Sequence, residues 1–275
     1  MYINKRELNL EELKEIELKI LLEIHDICMK NNFNYSLCGG TLLGAIRHKG
    51  FIPWDDDIDI VMPRDDYDKF IQYCINNTTK LRIVSHEVNR KYNYLFAKAY
   101  DPSTVIFDSL IDEKGIDLGV YVDIFPLDGL GNTFDGAKRL IHSIELYNYI
   151  LVASHWKKYT FSKTNKFYIE PIRLLFYTLS KVCKLDKVID KAENEMKKYN
   201  YYTSDYIGCA CGSYRLKEIM KSEITNEYIN VLFEGHEFKA FKNYDKYLRN
   251  IYGDYMKMPS SEQRVTHHTF KAYYR

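Results

Sequence analysis

Six aspartates lie within residues 50–67 (GFIPWDDDIDIVMPRDDY), and three of them stand between Trp54 and Ile58. A carboxylate among core residues is costly unless it is paired, and otherwise it takes up a proton. Asp57 and Asp59 flank Ile58, so in a strand they would share one face. Two carboxylates on one face can bind a divalent cation, and an all-oxygen site suits Mg²⁺ or Mn²⁺. The spacing therefore predicts a metal site at Asp57 and Asp59.

Two different interpretations of the aspartates compete with the metal site. A calcium loop of the EF-hand type would use Asp55, Asp57 and Asp59, but it needs Gly at Ile60 and Glu at Asp66, so this class is excluded. A solvated acidic turn stays open as a purely structural interpretation. It does not explain why apolar residues alternate with the carboxylates.

A glycine pair precedes the aspartates in NYSLCGGTLLGAIRH, residues 34–48. The pattern predicts a short strand that ends at Gly39 and Gly40, with a helix starting directly from Thr41. Glycine lets a phosphate approach the backbone closely, and the amino terminus of a helix favours its negative charge. Together with the aspartates, this segment predicts a two-part site for phosphate and metal.

The surrounding sequence predicts a sheet in the first half of the chain and helices in the second. Asn9 and Glu12 form a capping-box pattern before an amphipathic helix that stops near Asn31 and Asn32. Further strand candidates are LRIVSHE, YLFAKAYD, STVIFDS and VYVDIFPLDG. From about residue 134 to 200 the apolar residues recur with helical spacing. Beyond Ile224 we expect a helix, a Gly-Asp turn and an extended C-terminal segment.

The overall composition excludes several classes of protein. A formal net charge of +1 gives no general attraction to nucleic acid, so no nucleic-acid partner is expected. The charged amino-terminal residues do not form a signal peptide, and we expect a cytoplasmic protein. The six cysteines contain no CxxC pair and indicate reduced thiols; Cys209 and Cys211 lack a second pair for zinc.

A local excess of positive charge marks residues 156–200, with eleven Lys or Arg against five Asp or Glu. One interpretation is a solvated helical face. The other is a helical lobe in peripheral contact with the inner face of the cell membrane, since basic residues flank aromatic and aliphatic ones. The sequence leaves both interpretations open.

Three segments, GGTLLGAIRH, FIPWDDDIDI and VYVDIFPLDG, resemble the LicD family of phosphocholine transferases, whose eukaryotic relatives include the fukutins. A fourth segment, YLRNIYGDYMKMP, resembles the family more weakly. The resemblance implies an α+β fold of the nucleotidyltransferase-like type, with a mixed β-sheet core flanked by helices and a mostly helical C-terminal lobe. It implies a catalytic core over residues 1–130 and a helical lobe over 131–275, whose C-terminal segment returns to the active site.

The resemblance also implies an activity and a set of site residues. The activity is metal-dependent transfer of phosphocholine, or a related phospho-alditol, from CDP-choline or a similar CDP-linked donor. The acceptor is a hydroxyl of a surface glycan, a lipid-linked glycan or a teichoic-acid precursor, and CMP is released. Asp57 and Asp59 are then metal ligands and catalytic residues, with Asp123 of VYVDIF as the third.

Further candidate residues bind the substrate. Gly39, Gly40 and Thr41 form the phosphate cradle, and Arg47 and Lys98 neutralise diphosphate charge, unless they are ordinary surface cations. Trp54 is a candidate to hold the choline head group through cation–π attraction, unless it only packs at the strand edge. The competing functions are nucleotidyl transfer to a sugar or small molecule, metal-dependent glycosyl transfer, and a catalytically silent nucleotide-binding module.

Overall fold

The computed structural model of the chain describes residues 6–108, 116–162, 167–260, 262, 264 and 270–275. Its α-helices are α1 (Leu10–Asn31), α2 (Gly39–Arg47), α3 (Arg64–Asn76), α4 (Phe134–Ser154), α5 (Glu170–Val182), α6 (Leu185–Met196) and α7 (Tyr244–Tyr252). Its strands are β1 (Ser36–Leu37), β2 (Asp59–Pro63), β3 (Arg82–Val84), β4 (Ala97–Tyr100), β5 (Thr104–Asp108), β6 (Tyr121–Gly131), β7 (Tyr206–Gly208), β8 (Met220–Lys221), β9 (Tyr228–Phe233), β10 (His236–Phe241) and β11 (Phe270–Tyr274).

A mixed sheet lies at the centre of the fold, in the order β1-β2-β6-β4-β3. β2 and β6 are parallel, whereas β4 runs antiparallel to β6. The far end of β6 pairs with β7, and β7 pairs with β8. Ile60, Val122 and Ile124 on the inner strands are fully buried between the sheet and its helices. The α+β class, a mixed sheet flanked by helices, is confirmed.

Helix α1 begins and ends where the sequence predicts. Asn9 Oδ1 accepts the Glu12 N–H at 3.0 Å, and Glu12 Oε2 accepts the Asn9 N–H at 2.9 Å, so the capping box is formed. The helix ends at Asn31, and Asn32 adopts the left-handed conformation with φ 56°. Both predicted boundaries are confirmed.

The chain beyond Ile224 differs from its prediction. β9 and β10 form an antiparallel hairpin, and among the residues described beyond Ile224 the α-helix is confined to Tyr244–Tyr252. The hairpin turns at Glu234 and Gly235, whose φ angles of 50° and 79° suit a two-residue turn. Period-two alternation places Phe238 and Ala240 in the core, and this burial decides between strand and helix.

The second half of the chain packs onto the central sheet at several points. The Phe241 N–H donates to Ser36 Oγ at 3.1 Å, which links β10 to β1. Strand β6 runs through the predicted boundary at residues 130 and 131, and that division stays a prediction. Among the described residues, no helix combines the length and the apolar character that crossing a membrane requires.

Candidate active site

Three charged side chains stand next to one another across the middle of the sheet. Asp59 of β2 is the register partner of Asp123 of β6, and Asp123 is also the register partner of Lys98 of β4. Paired positions on neighbouring strands project from the same face of a sheet. Lys98 Nζ, which is buried, donates to Asp123 Oδ1 at 2.6 Å. The fold therefore sets two carboxylates and one ammonium group in a row.

Asp57 belongs to the same cluster, although it lies outside the strand. β2 begins at Asp59, and Asp57 lies two residues before it, in the irregular stretch that follows the turn at Trp54. Burial and then the negative charges of Asp57 and Asp123 raise the pKa of Asp59 well above its usual range. The structure thus brings together the three aspartates that the sequence predicts as metal ligands.

Asp55 lies against the amino terminus of α2. A Cβ added at Gly40 would collide with Asp55 Oδ2, so glycine permits this close approach. Burial, followed by the negative charges of Asp57 and Asp56, raises the pKa of Asp55 to about 7, while Lys14 acts in the opposite direction. The first turn of α2 therefore faces an acidic group rather than open solvent.

Gly39 and Thr41 hold the start of β2 in place. Gly39 has φ 52°, a conformation that favours glycine, and its N–H donates to Tyr247 Oη at 3.2 Å. Thr41 is buried, and its Oγ1 accepts the Asp59 N–H at 2.8 Å. Both residues contact groups of the protein in this structure, and their binding of substrate stays a prediction.

Glu17 is an acidic group of the cluster that the sequence-based prediction does not include. It lies in α1 with a relative exposure of 2%, and its Oε2 has no hydrogen-bond partner among the described residues. Burial, and then the charges of Asp57, Asp56, Asp123 and Asp59 in that order, raise its pKa well above the usual range. A signal for it exists in the sequence, because position 17 falls on the apolar face of α1.

A cavity of about 660 Å³ opens beside the acidic cluster. Gly40, Asp55 and Asp57 line one side of it, and the C-terminal part of the chain lines the other through Tyr252 and Tyr255. A volume of this size suits a ligand as large as a nucleotide. Asp59 and Asp123 are not among its lining residues, so Asp57 connects the cluster to the cavity.

Arg47 and Trp54 also line the cavity, away from the row on the sheet. Arg47 Nη1 donates to the Tyr255 carbonyl oxygen at 2.7 Å, which fastens the C-terminal segment to α2. The Trp54 ring meets His48 edge to face, with ring centres 6.3 Å apart. Lys98, by contrast, is buried in the sheet and lies over the Tyr121 ring, 3.5 Å from its centre.

The acidic cluster fits a divalent cation in charge and in donor chemistry. It gathers carboxylate oxygens, the donors that Mg²⁺ and Mn²⁺ prefer, and it leaves Glu17 Oε2 unsatisfied. In the described parts of the chain, no three His, Cys, Asp or Glu side chains are already arranged around one point for an ion. Lys98 occupies one oxygen of Asp123, so a bound ion requires a side-chain rearrangement there.

The cysteines do not offer a second metal centre. All six are free thiols, as the sequence predicts. Cys209 Sγ and Cys211 Sγ are 3.9 Å apart. The hydrogen bond to Cys211 and burial raise the pKa of Cys209 well above its usual range, which disfavours the thiolate that a metal needs.

Comparison with known proteins decides the family. The family model described as "LicD/FKTN/FKRP, nucleotidyltransferase domain" matches residues 32–145. A Haemophilus influenzae protein named lipopolysaccharide cholinephosphotransferase LicD is 34% identical over 281 residues, which cover 98% of this chain and 99% of that protein. The chain belongs to the LicD family. The resemblance inferred from the three sequence segments is therefore confirmed.

A second relative extends the comparison within the LicD family. An uncharacterized protein of Rickettsia prowazekii is 46% identical over 135 residues, which cover 42% of this chain and 51% of that protein. The LicD domain match contains Asp57, Asp59 and Asp123, whereas Tyr252 and Tyr255 lie outside it. The C-terminal wall of the cavity therefore lies outside the domain match, and the full-length Haemophilus match includes it.

Proposed function

We propose that the chain transfers phosphocholine from CDP-choline to a hydroxyl group of lipopolysaccharide, releases CMP, and requires Mg²⁺ or Mn²⁺. The observation that carries this proposal is the acidic cluster of Asp57, Asp59 and Asp123, one member of which lines a cavity of nucleotide size. The homology to a lipopolysaccharide cholinephosphotransferase over 98% of the chain supports the choice of donor and acceptor.

The proposed chemistry is a displacement at phosphorus. The acceptor oxygen attacks the phosphorus that carries choline, and the bond from that phosphorus to the CMP oxygen breaks with its electron pair. Asp57, Asp59 and Asp123 would hold the divalent ion, which supplies positive charge to neutralise the diphosphate. Asp123 is our candidate to accept the proton of the hydroxyl, because it stands beside Asp59 at the position proposed for the ion.

The aromatic side chains of the cavity suit the choline head group. Trp54, Tyr214, Tyr252 and Tyr255 all line it. A quaternary ammonium cannot donate hydrogen bonds and binds best to aromatic faces. The face of Trp54 attracts a cation in this structure, since Arg264 Cζ lies 5.3 Å from its ring centre, and choline bound there would take the place of this guanidinium. We therefore assign the choline to this aromatic wall, with the diphosphate directed toward Asp57.

The test is CMP release by the purified protein, with CDP-choline, CDP-ribitol, CDP-glycerol and CTP each supplied as the donor. We expect CMP from CDP-choline when Mg²⁺ or Mn²⁺ and a lipopolysaccharide acceptor are present, and none in EDTA. Asp59→Asn and Asp123→Asn should abolish release, whereas the exposed and distant Asp190→Asn should retain it. Protein that is folded yet releases no CMP from any donor would refute the proposal.

Nucleotidyl transfer is the competing function, and the description of the matched domain favours it over glycosyl transfer and over a silent binding module. Nucleotidyl and phosphocholine transfer differ in the phosphorus attacked and in the leaving group. Release of pyrophosphate from CTP, with no CMP from CDP-choline, would select nucleotidyl transfer. Binding of nucleotide without turnover of any donor would select a catalytically silent module.

A further inference from the structure

Helix α5 and the segment before it expose an unusual amount of apolar surface. The four most exposed large apolar side chains among the described residues all lie there: Phe167 (83%), Val182 (72%), Tyr168 (69%) and Phe161 (68%). Ile172 and Leu175 are each 55% exposed. We call these six residues the α5 surface. Isolated exposed apolar residues are normal, but so many in one segment of the chain indicate a contact site.

Helix α5 buries two polar side chains and leaves an apolar stripe exposed. Its buried residues are Glu170 and Ser180, both polar. Glu170 accepts hydrogen bonds from Tyr159 Oη at 2.6 Å and from Arg173 Nη1 at 2.6 Å, and these contacts anchor the start of the helix. Besides these polar contacts, the half-buried Phe176 and Tyr177 pack against Tyr149 and Trp156, while the apolar stripe of the helix points outward.

The apolar residues of α5 repeat with helical spacing. Ile172, Leu175 and Val182 are three and seven residues apart, so they form one stripe along the helix. The stripe is about ten residues long, too short to cross a bilayer, since a spanning helix needs about 20 apolar residues. Its length suits a helix that lies in the plane of a membrane surface.

The charge around the stripe selects the partner. Between residues 157 and 184 the sequence contains seven Lys or Arg and one Asp or Glu, and that one is the buried Glu170. Lys158, Lys181 and Lys184 are exposed in the structure. Cations beside an apolar stripe are complementary to a surface of anionic headgroups over acyl chains.

We propose that the α5 surface docks the protein on one side of a bilayer that contains anionic phospholipid. The apolar side chains enter the boundary between headgroups and acyl chains, and the flanking lysines contact lipid phosphates. A second copy of the chain is less suitable as the occupant, because facing copies would bring the same positive charges together. Docking goes beyond the transfer reaction and does not depend on it.

The α5 surface is connected to the wall of the cavity by packed side chains. Phe176 of α5 contacts Tyr149 of α4, with ring centres 5.1 Å apart. Arg215 lies over the Tyr149 ring at 5.4 Å, and its neighbour Tyr214 lines the cavity. If the proposed function is correct, docking holds the transferase at the membrane, and these contacts join the docked helix to the wall of its cavity.

Co-sedimentation of the full chain with vesicles tests the docking. We expect binding to vesicles that contain phosphatidylglycerol, weak binding to pure phosphatidylcholine, and a loss of binding as salt is raised. Lys181→Glu with Lys184→Glu should weaken binding by about fivefold or more for each lysine, from about 1 kcal/mol per basic residue near an anionic surface. Ile172→Glu with Leu175→Glu and Val182→Glu should remove detectable binding.

The matched control places glutamate at exposed apolar sites elsewhere, Ile75→Glu with Val88→Glu, and should bind as the unaltered chain does. Melting temperatures show whether each variant is folded. Co-sedimentation measures binding directly, so the result does not depend on enzymatic activity. The proposal is overturned by equal binding to both kinds of vesicle, by no binding to anionic vesicles, or by binding that survives the triple substitution. It is also overturned if light scattering shows a dimer that the triple substitution separates.

Discussion

Replacing Asp55 with Asn should stabilise the metal-free protein at alkaline pH. Burial and its acidic neighbours raise the pKa of Asp55 from its ordinary value of 3.8 to about 7. A carboxyl group with a raised pKa in the folded state supports folding below about pH 4. That support is lost progressively as the pH rises through about 7, because the ionised form is disfavoured in the fold. Asn is neutral throughout and lacks this penalty.

The size of the effect follows from the two pKa values. A difference of about three pH units corresponds to about 4 kcal/mol at 1.36 kcal/mol per unit. Asp55 borders the open cavity, so water screens part of its charge, and we expect about half of that, about 2 kcal/mol. For a chain of this size the melting temperature should then rise by about 4–8 °C.

The assay is thermal and urea unfolding in EDTA at pH 5 and at pH 8. Asp55→Asn should be more stable than the unaltered chain at pH 8. At pH 5 the gain should be less than half as large, because Asp55 is then protonated in the fold but already ionised in the unfolded chain. Asp190→Asn, at an exposed site, should change stability by less than about 0.5 kcal/mol at either pH. An equal effect of Asp55→Asn at the two pH values, or a loss of stability at pH 8, would refute the electrostatic account of the cluster.

Three further substitutions separate the charge, the packing and the head-group contact. Lys98→Met removes the cation from Asp123 and should lower the free energy of unfolding in EDTA by about 3 kcal/mol. Added Mg²⁺ should restore most of this stability. If Mg²⁺ restores none, the result argues against an ion at Asp123. Arg64 donates two hydrogen bonds, of 2.6 and 2.8 Å, to the buried carboxylate of Asp128. Arg64→Met leaves that carboxylate without them and should lower the free energy of unfolding by about 3–5 kcal/mol. Unchanged urea unfolding would contradict this reasoning. Tyr252→Leu removes the ring face and should raise KM for CDP-choline about tenfold, whereas Tyr252→Phe keeps the face and should leave KM unchanged. Steady-state kinetics in which the two variants behave alike would exclude a cation–π contact.

The part of the site carried by local patterns was predictable from the sequence. Asp59 and Asp123 are flanked by apolar residues on strands, and the residues of β2 and β6 that flank them pack in the core. The glycine pair marks the start of α2 because glycine is favoured at the φ of Gly39 and a side chain at Gly40 would collide with Asp55. These features need only neighbours in the sequence to be recognised.

The rest depends on contacts between distant parts of the chain. The sequence indicates only that Glu17 lies on the apolar face of α1, and the packing of α1 reveals that its carboxylate belongs to the acidic cluster. Tyr214, Tyr252 and Tyr255 are three of 25 tyrosines, and their common position follows from the return of the C-terminal segment to α2. The predicted helix before residue 244 was wrong because burial of alternate side chains favours the β9–β10 hairpin.

The most direct test of the central claim is X-ray diffraction from crystals grown with Mn²⁺ and CDP-choline, recorded at the manganese absorption edge. The proposed site predicts an anomalous peak bonded to carboxylate oxygens of Asp57, Asp59 and Asp123, with Lys98 displaced from Asp123 and choline against the aromatic wall. An intact pair of Lys98 and Asp123 with no manganese at the three aspartates would contradict it.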